Sequence, residues 1–66
     1  MLIKDRILKL LQKEEKGLTI TGVTKILRIH YSTSSKYLAV LEAEGKVVRR
    51  DIGMAKLFKL SDDHEF

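Results

Sequence analysis

Thr19-Ile20-Thr21-Gly22-Val23-Thr24-Lys25-Ile26-Leu27-Arg28-Ile29-His30-Tyr31-Ser32-Thr33-Ser34-Ser35-Lys36-Tyr37-Leu38 is the stretch on which the fold turns. Val23, Ile26 and Leu27 fall three and four residues apart, which predicts a helix over 22–28. Thr21 has the side chain of an N-cap, with Gly22 at the first helical position. Arg28-Ile29-His30-Tyr31 interrupts the apolar period. Ser32 then offers a hydroxyl that caps a following helix. Leu38 and Leu41 mark the core face of that third helix, and Ser34 lies in register four residues before Leu38. Two helices joined by so few residues meet at a steep angle, and one of them projects outward.

On the N-terminal side, Ile3, Ile7, Leu10 and Leu11 form a helical stripe, and Lys4, Asp5, Lys9, Lys13 and Glu14 fill the opposite face. A helix over 2–15 is expected, stopped by Gly17. Leu2 and Leu8 lie at the edges of its stripe and leave apolar surface for a partner subunit, although single exposed leucines are ordinary. Leu18-Thr19-Ile20 is a short β-prone piece. On the C-terminal side, Gly45 ends the third helix, and Glu42 and Glu44 near that end oppose the helix dipole. Lys46-Val47-Val48-Arg49-Arg50 and Ala55-Lys56-Leu57-Phe58-Lys59-Leu60 are β-prone, and Asp51-Ile52-Gly53-Met54 supplies the glycine of a hairpin turn. Phe58 and Leu60 share one face of this hairpin, Leu57 and Lys59 the other. Alternation alone does not say which face is buried more deeply.

A chain of 66 residues is one small domain, assigned to residues 1–60, with an acidic tail at 61–66 that is expected to fray. A hydrophobic share of 44% beside a charged share of 33% is a globular composition. No apolar run approaches the roughly 18 residues of a membrane span. The first six residues lack the apolar stretch of a secretory signal, so a cytoplasmic location is expected. With no cysteine, disulfides, thiolate metal sites and thiol nucleophiles are excluded. No proline and only four glycines leave little room for a phosphate-binding loop or a catalytic cleft. Neither histidine has a carboxylate pair near it on a rigid element, so no enzyme, cofactor or small-molecule pocket is expected. Asp62-Asp63-His64-Glu65 has metal-ligand residue types, but consecutive residues in a loose tail do not preform a site, and no metal is expected. The net charge of +4 is uneven: residues 17–60 carry +5, residues 61–66 carry −3 and residues 1–16 carry +2. A cationic middle suits a polyanionic partner.

Thr19 to Leu27, Tyr31 to Leu38, and Leu41-Glu42-Ala43-Glu44-Gly45-Lys46-Val47 resemble the winged helix-turn-helix pattern. MarR-type and ArsR-type transcriptional regulators and many small archaeal DNA-binding proteins carry that pattern. The run from Arg49 to Leu60 is similar to the wing of the archaeal examples, so the resemblance covers about residues 3–60. It implies an α+β fold of three helices with a C-terminal two-stranded β-hairpin wing. Two positions depart from the pattern. Thr24 stands where alanine is usual, and Ser34 where valine or isoleucine is usual. Such residues pack by hydrogen-bonding each other or a nearby carbonyl. A slightly weakened helix pair is expected, one that Ser34→Val strengthens.

The resemblance also implies that the third helix reads double-stranded DNA. Its early residues Tyr31, Ser32, Thr33, Ser35, Lys36 and Tyr37 suit that role, because none is acidic. Hydroxyls at a helix start hold phosphate beside the free N–H groups. Lys36 is the cation able to reach a guanine or a phosphate, and Tyr37 has the alternative of packing under the wing. Arg49, Arg50 and Lys56 of the hairpin, with Lys59, suit phosphates or the minor groove, although charges also protect an edge strand from aggregation. Thr21, Lys25 and Arg28 are expected to flank the DNA backbone. His30 lies in the turn, open to phosphate or solvent. The function so implied is a transcription regulator acting as a homodimer. The alternatives are a protein-interaction scaffold and the DNA-binding part of a larger sensor.

Overall fold

Ile7 and Leu11, one turn apart on α1 (Ile3–Lys13), are both buried, as their spacing predicts. The structure is a computed structural model that describes residues 2–61. Two further helices follow, α2 (Ile20–Leu27) and α3 (Tyr31–Ala43). Three strands, β1 (Leu18–Thr19), β2 (Val47–Ile52) and β3 (Ala55–Leu60), complete an α+β domain. The sheet is antiparallel in the order β1-β3-β2. The expected hairpin is therefore present, and the short β1 joins its free edge, with Leu18 opposite Phe58 and Thr19 opposite Leu57.

The core joins buried residues from every element except β1. Ile7 and Leu11 of α1, Val23 of α2, and Leu38 and Leu41 of α3 meet Val47 and Phe58 of the sheet. Burying each such side chain contributes about 1.5–3 kcal/mol. Val47 pairs with Leu60 and Arg49 with Phe58, so the face holding Phe58 and Leu60 is the one the helices cover. Leu18, Tyr37 and Leu60 pack around the cluster. Gly17, at φ +91°, links α1 to β1 where a Cβ would lie 2.7 Å from the carbonyl oxygen of Phe58. No other residue fits that approach without moving β3.

Both expected caps shift toward the N-terminus. The cap of α2 is Thr19, not Thr21: its Oγ1 accepts from the Gly22 N–H at 3.0 Å, so Ile20 is already helical. Position 30 precedes α3, which starts at Tyr31 rather than after a Ser32 cap, and His30 makes no side-chain capping bond. The cause is Arg28. Its backbone is left-handed (φ 58°, ψ 48°) and reverses the chain within three residues. The N–H groups of Arg28 and Ile29 both donate to the Thr24 carbonyl, closing α2. The Arg6 guanidinium donates to the Leu27 carbonyl at 3.3 Å, so α1 holds the same helix end.

The hairpin turn is shorter than expected. Asp51 and Ile52 belong to β2, and only Gly53 and Met54 turn the chain. Gly53 has φ +60° at the first central position, the arrangement of a type II′ turn. Of the acidic tail assigned to 61–66, Ser61 is described and its N–H donates to the Lys46 carbonyl at 3.1 Å; the rest, with its expected fraying and its metal-ligand residue types, lies outside the described residues.

Candidate nucleic-acid interface

Tyr31, Ser32 and Lys36 are exposed on the first half of α3, and Thr33 and Ser35 are half-buried. Because Ser32 is not the cap, its hydroxyl has no hydrogen-bond partner among the described residues. Tyr37 packs half-buried against the core. The Lys36 ammonium sits 5.4 Å from the centre of the Tyr37 ring, within cation–π range. The contact is made by the charged end itself, on a residue that is exposed.

The acids of α3 are confined to its other end, and each has a cation. Glu44 accepts from the Lys4 ammonium at 2.8 Å and lies 3.7 Å from Lys46. Glu42 lies 3.9 Å from Arg49, which also approaches Asp51 at 3.6 Å. The hydrogen bond from Lys4 holds the Glu44 carboxyl below the ordinary glutamate range, and the charges of Lys4 and Lys46 add to it against a smaller desolvation effect. These pairs explain why two carboxylates stand against the helix dipole: they tie α3 to α1 and to the base of the hairpin.

Three expected contact residues from three elements meet at one place. Thr21 of α2, Tyr31 of α3 and Lys56 of β3 line an open recess of about 280 Å³, together with Thr19, Ile20 and Met54. Thr21 and Lys56 are exposed there. The shift of the cap to Thr19 leaves the Thr21 hydroxyl on the surface of the first turn of α2. The recess lies between the start of α2, the start of α3 and the hairpin, and its lining mixes hydroxyls and one ammonium with the apolar Ile20, Met54 and Ala55.

The other expected residues lie elsewhere. Arg50 is exposed on the sheet face opposite the helices, beside Val48, Leu57 and Lys16. Arg49 is on the helix-covered face and turned to Glu42 and Asp51. Lys25 and Arg28 are exposed at the C-terminal end of α2. Ile52 and Met54, exposed at the hairpin tip, are not among the residues expected from the sequence. The sequence does carry a signal for them: apolar residues occupy a turn region where polar ones are usual.

Behind this surface, Thr24 and Ser34 join α2 to α3. The Thr24 hydroxyl donates to the Ser34 hydroxyl at 2.8 Å, and Ser34 in turn donates to the His30 carbonyl at 3.4 Å. Ser34 is completely buried, yet no buried polar side-chain atom among the described residues lacks a partner.

Among the described residues no group of three His, Asp or Glu side chains is placed to hold a metal ion. No helix among them is long and apolar enough to cross a membrane. Comparison with protein-family models, with curated proteins and with solved structures finds no match for this chain.

Proposed function

We propose that this chain is a winged-helix DNA-binding domain that regulates transcription. The start of α3 enters the major groove, and the β2–β3 hairpin is the wing. The observation that carries this reading is the segregation of charge along α3. Its exposed first half has hydroxyls and Lys36 and no acid, while Glu42 and Glu44 are held at the far end by Lys4, Lys46 and Arg49. A duplex approaching the start of α3 meets no carboxylate of that helix before its last turn.

The roles follow from position. Lys36 donates to a guanine edge or a phosphate, and Tyr31, Ser32, Thr33 and Ser35 make weaker contacts around it. Thr21 and Lys56 take the sugar-phosphate strand that runs through the recess. Arg50 adds charge from the outer sheet face, and Lys25 and Arg28 flank the backbone. Arg49 contributes less than expected, since Glu42 and Asp51 already draw on it. A homodimer on a two-fold site fits a domain this small, and the exposed Leu2 at the start of α1 offers apolar surface for it.

Selection from a random duplex library, with competitor DNA at about 0.15 M salt, tests the proposal. An enriched inverted repeat supports a dimeric regulator. An enriched single half-site keeps the DNA function and removes the dimer. No enrichment, with weak binding that vanishes as salt rises, overturns the reading in favour of a protein-interaction scaffold.

A further inference from the structure

The tip of the hairpin is apolar where solvent would favour polar residues. Met54 is 104% exposed and Ile52 55% exposed. The type II′ turn at Gly53 places Met54 at the extreme end of a two-residue loop. Cations stand behind it on both arms, Arg50 on β2 and Lys56 on β3, and both are exposed. The nearest acid, Asp51, is drawn to Arg49. Met54 also edges the recess whose other side is Tyr31, at the start of α3.

This arrangement has a geometric consequence for a bound duplex. If the start of α3 lies in the major groove, the strand that bounds this groove runs through the recess. The hairpin tip then reaches the adjoining minor groove. Apolar side chains, methionine among them, enter that groove as wedges that part a base step and kink the helix. Pyrimidine–purine steps are the easiest to open.

We propose that Met54, backed by Ile52, is such a wedge. It enters the minor groove at a flexible step, bends the duplex and selects DNA for deformability at a site α3 does not touch. The inference rests on the DNA-binding reading above. A bilayer is a poorer fit for the same tip, because two apolar side chains bury too little surface for stable anchoring.

The test uses end-labelled duplexes of roughly 25 bp, one rich in TA steps and one an uninterrupted A-tract, read by energy transfer between the ends. The wild-type chain should bend the TA duplex by about 20–90°. It should bind that duplex roughly fivefold or more tightly than the A-tract, the lower end of what one altered base pair costs. Met54→Ser should bind both duplexes alike and bend neither, and Met54→Leu should restore bending. A side chain this exposed has no part in the core, so the variants keep the fold. Wild-type binding without a bend, or equal bending by Met54→Ser, overturns the wedge and leaves the DNA function standing. No binding to either duplex overturns both. In that case, tighter binding of wild type than of Met54→Ser to phosphatidylserine vesicles reassigns the tip to a lipid surface.

Discussion

The hydroxyl of Thr24 donates to that of Ser34 at 2.8 Å, across the interface between α2 and α3. Ser34 passes its own proton toward the carbonyl of His30. The two departures from the helix-turn-helix pattern thus answer each other. As expected, the two residues pack by hydrogen-bonding each other and a nearby carbonyl, and they form a short polar relay in a closed site. Ser34→Ala should lower stability by about 0.5–1.5 kcal/mol, and a double-mutant cycle with Thr24→Val should show coupling of similar size. Ser34→Val should be worse, by about 1–3 kcal/mol, because it adds volume where Ser34 is already fully buried. Urea unfolding reads all of these. A more stable Ser34→Val would restore the idea of a weakened pair.

Lys36 and Arg50 should separate in DNA binding. Lys36→Ala should relax base preference, whereas Arg50→Ala should weaken all duplexes about equally and flatten the slope of log affinity against log salt by roughly 0.9. Titrations of the selected and a scrambled duplex at several salt concentrations check both. Equal losses on the two duplexes for Lys36→Ala would remove it from base reading.

Arg28 holds a left-handed backbone that costs an ordinary residue about 1–2 kcal/mol. Glycine relieves that strain but loses about 0.5–1 kcal/mol of chain entropy. Arg28→Gly should therefore raise stability by about 0.5–1 kcal/mol while weakening DNA binding. A higher urea midpoint with unchanged slope, beside a lower affinity, is the expected pair of results. Lower stability would mean that the arginine side chain holds the turn.

Glu44 titrates below its ordinary value of 4.5 because Lys4 hydrogen-bonds the ionised form. Its contribution is fully present above that value. It shrinks as pH falls below 4.5 and disappears below the lowered folded value. Glu44→Gln should remove this part of the acid destabilisation, and Lys4→Met should return the carboxyl toward 4.5. Carbon-detected titration of the side-chain carboxyl checks the second point. An unmoved midpoint in Lys4→Met would deny the contact in solution.

The long apolar periods are legible in the sequence. Ile7 with Leu11, and Leu38 with Leu41, define their helix faces by spacing alone. The caps are not, because threonine and serine crowd positions 19, 21, 24 and 32–35. Residue type therefore cannot choose among them. The buried face of the hairpin depends on where the helices lie, which alternation cannot tell. Arg49 reads as a free wing cation in the sequence because Glu42 reaches it only through the fold, and Asp51 only once an extended strand puts residues two apart on one face. Thr21, Tyr31 and Lys56 each stand out singly, and only the packing of α2, α3 and β3 brings them to one recess.

The third strand of the sheet is only two residues long, and it supports β3 at Leu57 and Phe58 and nowhere further toward the turn. From Lys56 and Asp51 outward, the hairpin is a two-stranded ribbon fixed at one end, a cantilever rather than a wall. Such a ribbon is marginal alone and twists readily. Amide protection should therefore fall along a single strand, highest at Phe58 and lowest near the tip. The same beam can swing as a unit to follow a groove of varying width without disturbing Phe58 at its root.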